Sequence, residues 1–264
     1  MVRRGWAGAA IVILLAAAGL MSLVWAPWDV RVIDVAHRLA GSSWAHPLGT
    51  DQLGRDLLSM LMAGAAPSLA TAGLGTVIGL LGGVPLGLLA AARPGRIDDL
   101  VARIADLLFA FPALILALLI VAVAGPGADR AAIAIGIFNI PVFTRVTRAT
   151  AQSLWQRDFI RAARLAGKGR TRIAIEHILP NVAPAIVIQA SIQLAMGLLA
   201  EAALSYLGLG VQPPSPSWGR MLADGQTLIG LAPRLVLLPG AAIMLAALGF
   251  VWIGDALSRR VDAR

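Results

Sequence analysis

Long apolar runs separated by short polar segments set the pattern of this chain. Crossing a hydrocarbon core of roughly 30 Å takes about 20 mostly apolar residues in a helix. Six runs approach that length: Ala7 to Trp25, Ser68 to Ala92, Ile104 to Ala124, Ala131 to Val146, Val182 to Leu207 and Leu235 to Leu257. The fourth is the shortest and holds Pro141, which a membrane helix tolerates where neighbouring groups satisfy the freed carbonyl. The pattern predicts an all-α integral membrane protein with about six transmembrane helices. Residues 1–67 comprise the first helix and an outer loop, and residues 68–264 a five-helix transmembrane core with a loop at 155–180.

Within the second run, Gly75, Gly79, Gly83 and Gly87 recur every fourth residue, which puts them on one helix face where a neighbouring backbone can approach closely. A packing face is the favoured reading, a conduit lining the alternative, and Pro85 adds a kink. Between Gly208 and Pro233, Pro213, Pro214 and Pro216 exclude a continuous helix and favour a stiff, extended crossing. The polar segment WQRDFIRAARLAGKGRTRIAIEHILP, Trp155 to Pro180, differs in kind. Trp155, Phe159, Ala162, Ala163 and Ala166 recur at helical spacing as one apolar stripe, with Arg157, Arg161 and Arg164 on a separate basic face. Gly167-Lys168-Gly169 breaks this helix, and a second short helix from about Arg172 is expected to stop at Pro180. Physics alone fits the segment equally to an amphipathic helix lying on anionic lipid and to a docking surface.

The 264 residues are 58% hydrophobic and 14% charged, with mean hydropathy +0.81. Soluble domains carry about 25% charged residues, so a soluble core does not fit. The net charge of +8 does not indicate nucleic acid, because the basic residues punctuate apolar runs instead of clustering on a soluble module. They set the orientation, since Lys and Arg in short loops stay cytoplasmic. With the N-terminus inside, 16 of the 22 Lys and Arg fall on the cytoplasmic side. Among them are Arg3, Arg4, Arg93, Arg96, Arg103, all from Arg145 to Arg172, and Arg259, Arg260 and Arg264. Both termini and the 155–180 loop are therefore expected to be cytoplasmic. Trp6, Trp25, Trp28, Trp155, Trp218 and Trp252 fall near span ends, where an indole favours the headgroup layer. The first run also resembles a signal peptide, with Val24-Trp25-Ala26 close to a small-x-small cleavage site; its length and the Trp28 that follows favour an uncleaved span. Cysteine is absent and His37, His46 and His177 are scattered, so neither a disulfide nor a metal site is expected.

The spacing in the polar segment resembles the cytoplasmic loop of ABC importer permease subunits, whose signature is Glu-Ala-Ala, three residues, Gly, nine residues, Ile-x-Leu-Pro. Arg161, Ala162, Ala163 and Gly167 occupy its first positions and His177-Ile178-Leu179-Pro180 its last. Arg161 stands where the signature has Glu, and His177 where it has Ile. His46-Pro47-Leu48-Gly49-Thr50-Asp51 with Gly54-Arg55-Asp56 is similar to the HxLGTDxxGRD element of the dipeptide, oligopeptide and nickel branch, with Met60 where Arg usually follows. Glu201 to Gly210 is similar to that branch's EASLSFLGLG element, and Pro213 to Met221 to its PPxPxWGxML continuation. The chain is identified by these four elements as a member of that branch.

The resemblance implies a type I importer in a bacterial or archaeal inner membrane. This chain and a second homologous permease would form the pathway, two cytoplasmic ATPase subunits would bind ATP and Mg, and an extracytoplasmic binding protein would deliver di- or oligopeptides, or a nickel chelate. No cofactor, catalytic residue or nucleic acid is implied for this subunit. Phe159, Arg161, Ala162, Ala163, Arg164, Leu165 and Gly167 would form the coupling helix that sits in an ATPase cleft, with its aromatic side chains anchoring it to the membrane domain. The reversed charge at Arg161 would require an acidic residue in that cleft.

Glu201 lies inside the fifth run, where an intramembrane carboxylate marks either a functional interior site or a paired structural charge. Ser205 is one turn further on, and Gln189 and Gln193 are expected on the same face, so these four are candidates for the pathway or a subunit interface. His46, Asp51, Arg55 and Asp56 read as a loop held by capping and ion pairs, not as a metal or hydrolytic centre. A hydrolase using Ser59 or Ser205 with His46 would need nucleophile and base within hydrogen-bond reach, and neither serine stands in a G-x-S-x-G setting. There is no Gly-rich Walker loop, so ATP chemistry belongs to another chain.

Overall fold

The glycine repeat of the second apolar run becomes the main helix contact of the protein. In the computed structural model residues 2–262 are described; Arg264 of the basic tail lies outside them, as do the side chains of Arg3 and Arg260. Helix α2 (Leu57–Ala92) starts earlier than the apolar run because Asp56 caps it, accepting from Ser59 N and Ser59 Oγ, both at 2.8 Å. Its glycines face α5 (Ala128–Trp155). A Cβ on Gly75 would come within 2.6 Å of Ile135 Cγ2, on Gly83 within 2.5 Å of Ile140 O, and on Gly87 within 2.7 Å of Thr144 O. The ladder is a packing face covered by α5, and the conduit reading does not hold.

The order of those contacts shows that α2 and α5 run parallel, so the chain between them must return across the same depth. It does so in two pieces, α3 (Arg96–Phe109) and α4 (Ala113–Ala124), bent by 86°. This corrects the single span expected over Ile104 to Ala124. Helix α3 is held along the polar end of α5: Arg148 Nη2 donates to Asp98 Oδ2 at 2.7 Å, Gln152 Nε2 donates to the same oxygen at 3.2 Å, and Arg145 pairs with Asp106. Arg145 also lies 4.2 Å over the Phe109 ring. The break coincides with Phe111-Pro112, where the residue before proline is disfavoured in helical conformation.

Among the described residues, four helical stretches are apolar enough by length and composition to cross a membrane, and the bent pair taken as one span makes a fifth. Helix α5, with Asn139, Arg145 and Arg148, is not among them; it packs parallel to α2 along the same depth. Helix α1 (Val2–Met21) lies antiparallel to α10 (Arg234–Asp262), close enough that a Cβ on Gly8 would come within 2.6 Å of Gly249 O. Gly19 near the end of α1 meets Ala66 near the start of α2. The start of α1 therefore lies at the face where α2 ends, and there Arg170 Nη1 donates to Ala92 O at 3.1 Å.

Two further expectations are revised. Pro180 does not stop a helix: α7 (Arg170–Ile173), a π turn (Ala174–Ile178) and α8 (Leu179–Tyr206) run on as one rod. The wider π turn, closed by Leu179 N donating to Ala174 O, displaces the carbonyls that a proline ring would otherwise strike. The outer segment after Gly208 is not an extended crossing but passes through turns and bends to Ser217, which caps α9 (Trp218–Gly225) by accepting from Arg220 N at 3.2 Å. Trp218 is buried against α2, its Nε1 donating to Leu61 O at 3.0 Å, and is no part of an interfacial belt. Trp6, Trp25 and Trp28 are exposed, and Trp28 also packs on His46 with ring centroids 4.9 Å apart.

Candidate functional site

The face formed by the ends of α2, α5 and α8 carries the Trp155 to Pro180 segment. Helix α5 continues to Trp155; Gln156 closes it, Arg157 is extended, and α6 (Asp158–Leu165) begins afresh. That interruption resets the helical phase, so the buried side of α6 is Ile160 together with Ala163 of the expected stripe, while Phe159, Ala162 and Ala166 of that stripe are exposed. Ile160 and Ala163 pack with Val84 and Ala91 of α2, Phe143 and Ala151 of α5, and Ile173, Ile178 and Val182 below. An eight-residue helix has little stability of its own, so this apolar anchor orders it. Asp158 in the first turn and Arg164 in the last oppose the helix dipole favourably.

The opposite side of α6 is bare. Leu165 is 90% exposed and Phe159 45%, and Arg161, Ala162 and Arg164 are exposed beside them. Phe159 is thus only partly covered and Ala162 is exposed where Ala163 is buried, while the aromatic ring of Trp155 packs on the anchoring cluster. Arg161 reaches only Asp158, at 3.2 Å; Arg164 lies 5.2 Å over the Trp155 ring. Gly167, at φ +79°, turns the chain as a left-handed C-cap. Lys168 N donates to Ala163 O at 3.2 Å and Gly167 N to Arg164 O at 2.9 Å, closing the turn. Beyond it Glu176 accepts from Lys168 Nζ at 2.7 Å and from Arg172 Nε at 2.6 Å, linking the turn to the helix that leads into α8.

In the interior, the four candidates on α8 separate into two places. Glu201 is fully buried; its Oε1 accepts from Ser205 Oγ at 2.6 Å and its Oε2 has no hydrogen-bond partner among the described residues, with the hydroxyls of Ser68 on α2 and Ser217 before α9 close by. Ser68 Oγ accepts from Trp218 N at 3.1 Å, and Ser205 Oγ accepts from Val211 N at 3.1 Å. Glu201 and Ser205 therefore clasp α2, α8 and the outer segment within this one chain. Gln193 faces α5 instead, donating to Asn139 Oδ1 at 2.5 Å, and Gln189 Nε2 donates to Gln193 Oε1 at 3.3 Å. Asn139, a lone amide in an apolar run, was not singled out from sequence; its proximity to Pro141 on a short span was the available signal.

At the outer face, Asp51 Oδ1 accepts from Leu53 N and Arg55 N, and Asp51 Oδ2 pairs with Arg55 Nε at 2.7 Å. Asp56 sits between His46 Nδ1 at 3.1 Å and Ser59. The carboxylate separates the serine from the histidine, the reverse of a catalytic order in which the imidazole takes the serine proton. Ser205 pairs with Glu201, so neither serine has His46 as its base. These residues form a capped, ion-paired loop.

Residues 83–264 match the family described as binding-protein-dependent transport system inner membrane component. The chain belongs to that family. This permease is 43% identical over 229 residues to the dipeptide transport system permease protein of Alkalihalophilus pseudofirmus, covering 87% of this chain and 75% of that one. It is 43% identical over 226 residues to the di/tripeptide transport system permease protein of Pseudomonas aeruginosa, covering 86% and 75%. With the glutathione transport system permease protein of Pectobacterium atrosepticum it shares 38% identity over 254 residues, covering 96% and 84%. Its fold matches a chain of the inward-facing MetNI methionine ABC transporter, with TM-score 0.63, 21% identity, and coverage of 77% of the permease and 95% of that chain. The permease is thus an inner-membrane, multi-pass, all-α protein with the type I importer fold, and a transport subunit.

Proposed function

We propose that this permease forms, with a second homologous permease, the pathway of an ATP-driven importer of di- and oligopeptides. The observation that carries the reading is its similarity along most of its length to permeases named for dipeptides, di/tripeptides and glutathione. The three relatives described above are not named for nickel, and the chelate alternative is not favoured. Two cytoplasmic ATPase subunits would bind ATP and Mg, an extracytoplasmic binding protein would deliver the peptide, and no cofactor would reside in this chain. The bare side of α6 suits such a partner: Phe159, Ala162 and Leu165 offer apolar surface that lipid or protein must cover, while Ile160 and Ala163 fix it to the membrane helices. Movement of α6 by the ATPases would pass as a rigid body through the Gly167 turn to α8 and alternate access of the pathway.

Arg161 points to an acidic residue in the ATPase cleft. Uptake by the reconstituted complex tests the function: labelled dipeptide, tripeptide and glutathione should accumulate only with ATP and binding protein, and nickel should not. Accumulation of nickel without any peptide uptake would defeat the reading.

A further inference from the structure

A cleft of 310 Å³ opens between α4, α5 and α8, walled by Leu114, Phe138, Val142, Met196 and Leu199, and none of its lining residues is charged. Asn139 and Gln193 also line it, only 3% and 5% exposed. Besides the 2.5 Å bond from Gln193 Nε2 to Asn139 Oδ1, Asn139 Nδ2 donates to Gly75 O at 3.4 Å. Each amide nitrogen carries two hydrogens. These bonds use one on each, so one N–H of Asn139 and one of Gln193 have no acceptor among the described residues. Fastening α5 to α8 needs only the bond between them. A lipid tail in the cleft would leave the spare donors unsatisfied, at a free-energy cost that apolar surroundings raise, so the occupant carries hydrogen-bond acceptors.

We infer that Asn139 and Gln193 are this subunit's contacts to the main chain of the passing peptide, with the apolar walls receiving its side chains. The inference rests on the peptide reading above. A carboxamide both donates and accepts, so it pairs with a peptide main chain whatever the side chains, and an uncharged wall containing a flexible methionine adapts to varied ones. The volume lies at the lower end of small-molecule sites, about 300–1,000 Å³, as suits one side of a route completed by a second chain.

The test uses the complete reconstituted complex and a dipeptide carrying a photoreactive diazirine leucine, irradiated during ATP turnover and mapped by mass spectrometry. Adducts should form on Leu114, Phe138 or Met196 and disappear with excess unlabelled dipeptide. Gln193→Met should lower their yield, and raise the uptake KM, by about three- to tenfold, the worth of one neutral hydrogen bond. Since that variant strands Asn139 Oδ1, the double variant Asn139→Leu with Gln193→Met, which removes both partners, is measured beside it and should lose labelling likewise. The map of the unsubstituted complex decides even where neither variant assembles. Adducts confined to other surfaces while peptide uptake proceeds would overturn the inference and leave the peptide reading standing. If the unsubstituted complex imports no peptide, the substrate reading falls and this inference with it.

Discussion

Ile160 and Leu165 lie five residues apart on the same short helix and should respond oppositely to truncation. Ile160 is fully buried among side chains of α2, α5 and α8. Ile160→Ala removes three carbons from that site and leaves a cavity, a loss of about 3 kcal/mol. Because an eight-residue helix is unstable alone, the loss falls on the equilibrium between docked and undocked α6, raising the undocked fraction roughly a hundredfold. Hydrogen exchange of the amides in 158–167, followed by mass spectrometry on the purified permease in lipid nanodiscs, reads that fraction directly. Exchange should accelerate by about that factor, and in the full complex fewer peptides should be imported per ATP hydrolysed. Leu165→Ala, at a side chain 90% exposed, should leave exchange in the isolated permease unaltered and weaken capture of the ATPase subunits. Equal exchange in Ile160→Ala and the unsubstituted protein would refute the assignment of Ile160 as the anchor.

Other substitutions probe the remaining features. Gly83→Val drives a side chain into the α5 backbone and should abolish recovery of folded protein from detergent, a clash costing about 3 kcal/mol or more; Gly73→Ala, with open space around its Cβ, should not lower recovery. Glu201→Gln should keep uptake near normal, because the carboxyl acts as an acceptor in the clasp, whereas Glu201→Leu leaves the Ser68, Ser205 and Ser217 hydroxyls without it and should lower the melting temperature in a thermal-shift assay; loss of uptake in Glu201→Gln with unchanged melting would show a charge-dependent role. Arg161→Glu should weaken ATP-coupled uptake with the native ATPase, and improved coupling would defeat the expectation of an acidic partner residue.

Much of the architecture is legible in sequence where one periodicity persists over many turns. The four-residue glycine spacing of α2 announces close packing, and α5 supplies it. Legibility fails where a phase changes inside a continuous pattern. The run from Ile104 to Ala124 reads as one apolar stretch, yet Asp98 before it and Asp106 inside it fasten α3 to α5 and Pro112 permits the bend; long-range ion pairs leave no trace in a local window. The same reason hides Ile160: spacing counted from Trp155 assumes one helix, while the structure restarts at Asp158. Gln193 parts from Glu201 because helical drift over the eight residues between them turns it toward α5, and Gln189 follows it by bonding to its side chain. At Pro180 local propensity is overridden by a π turn, which sequence reading has no ready signal for.

That turn fuses a cytoplasmic-facing loop to the outer clasp in a single helical stretch of 37 residues, Arg170–Tyr206. At 1.5 Å per residue it is a lever about 55 Å long. Tilting it by ~10° at the α7 end would carry Tyr206 through about 10 Å, on the helix geometry just stated. Ser205 and Glu201 ride near the far tip, so the buried carboxyl that joins α8 to α2 and the α9 segment sits where leverage is greatest. A proline that merely ended a helix would have left α8 separate from the loop; here one continuous helix joins the two ends, so a movement imposed at α7 would be enlarged at Tyr206.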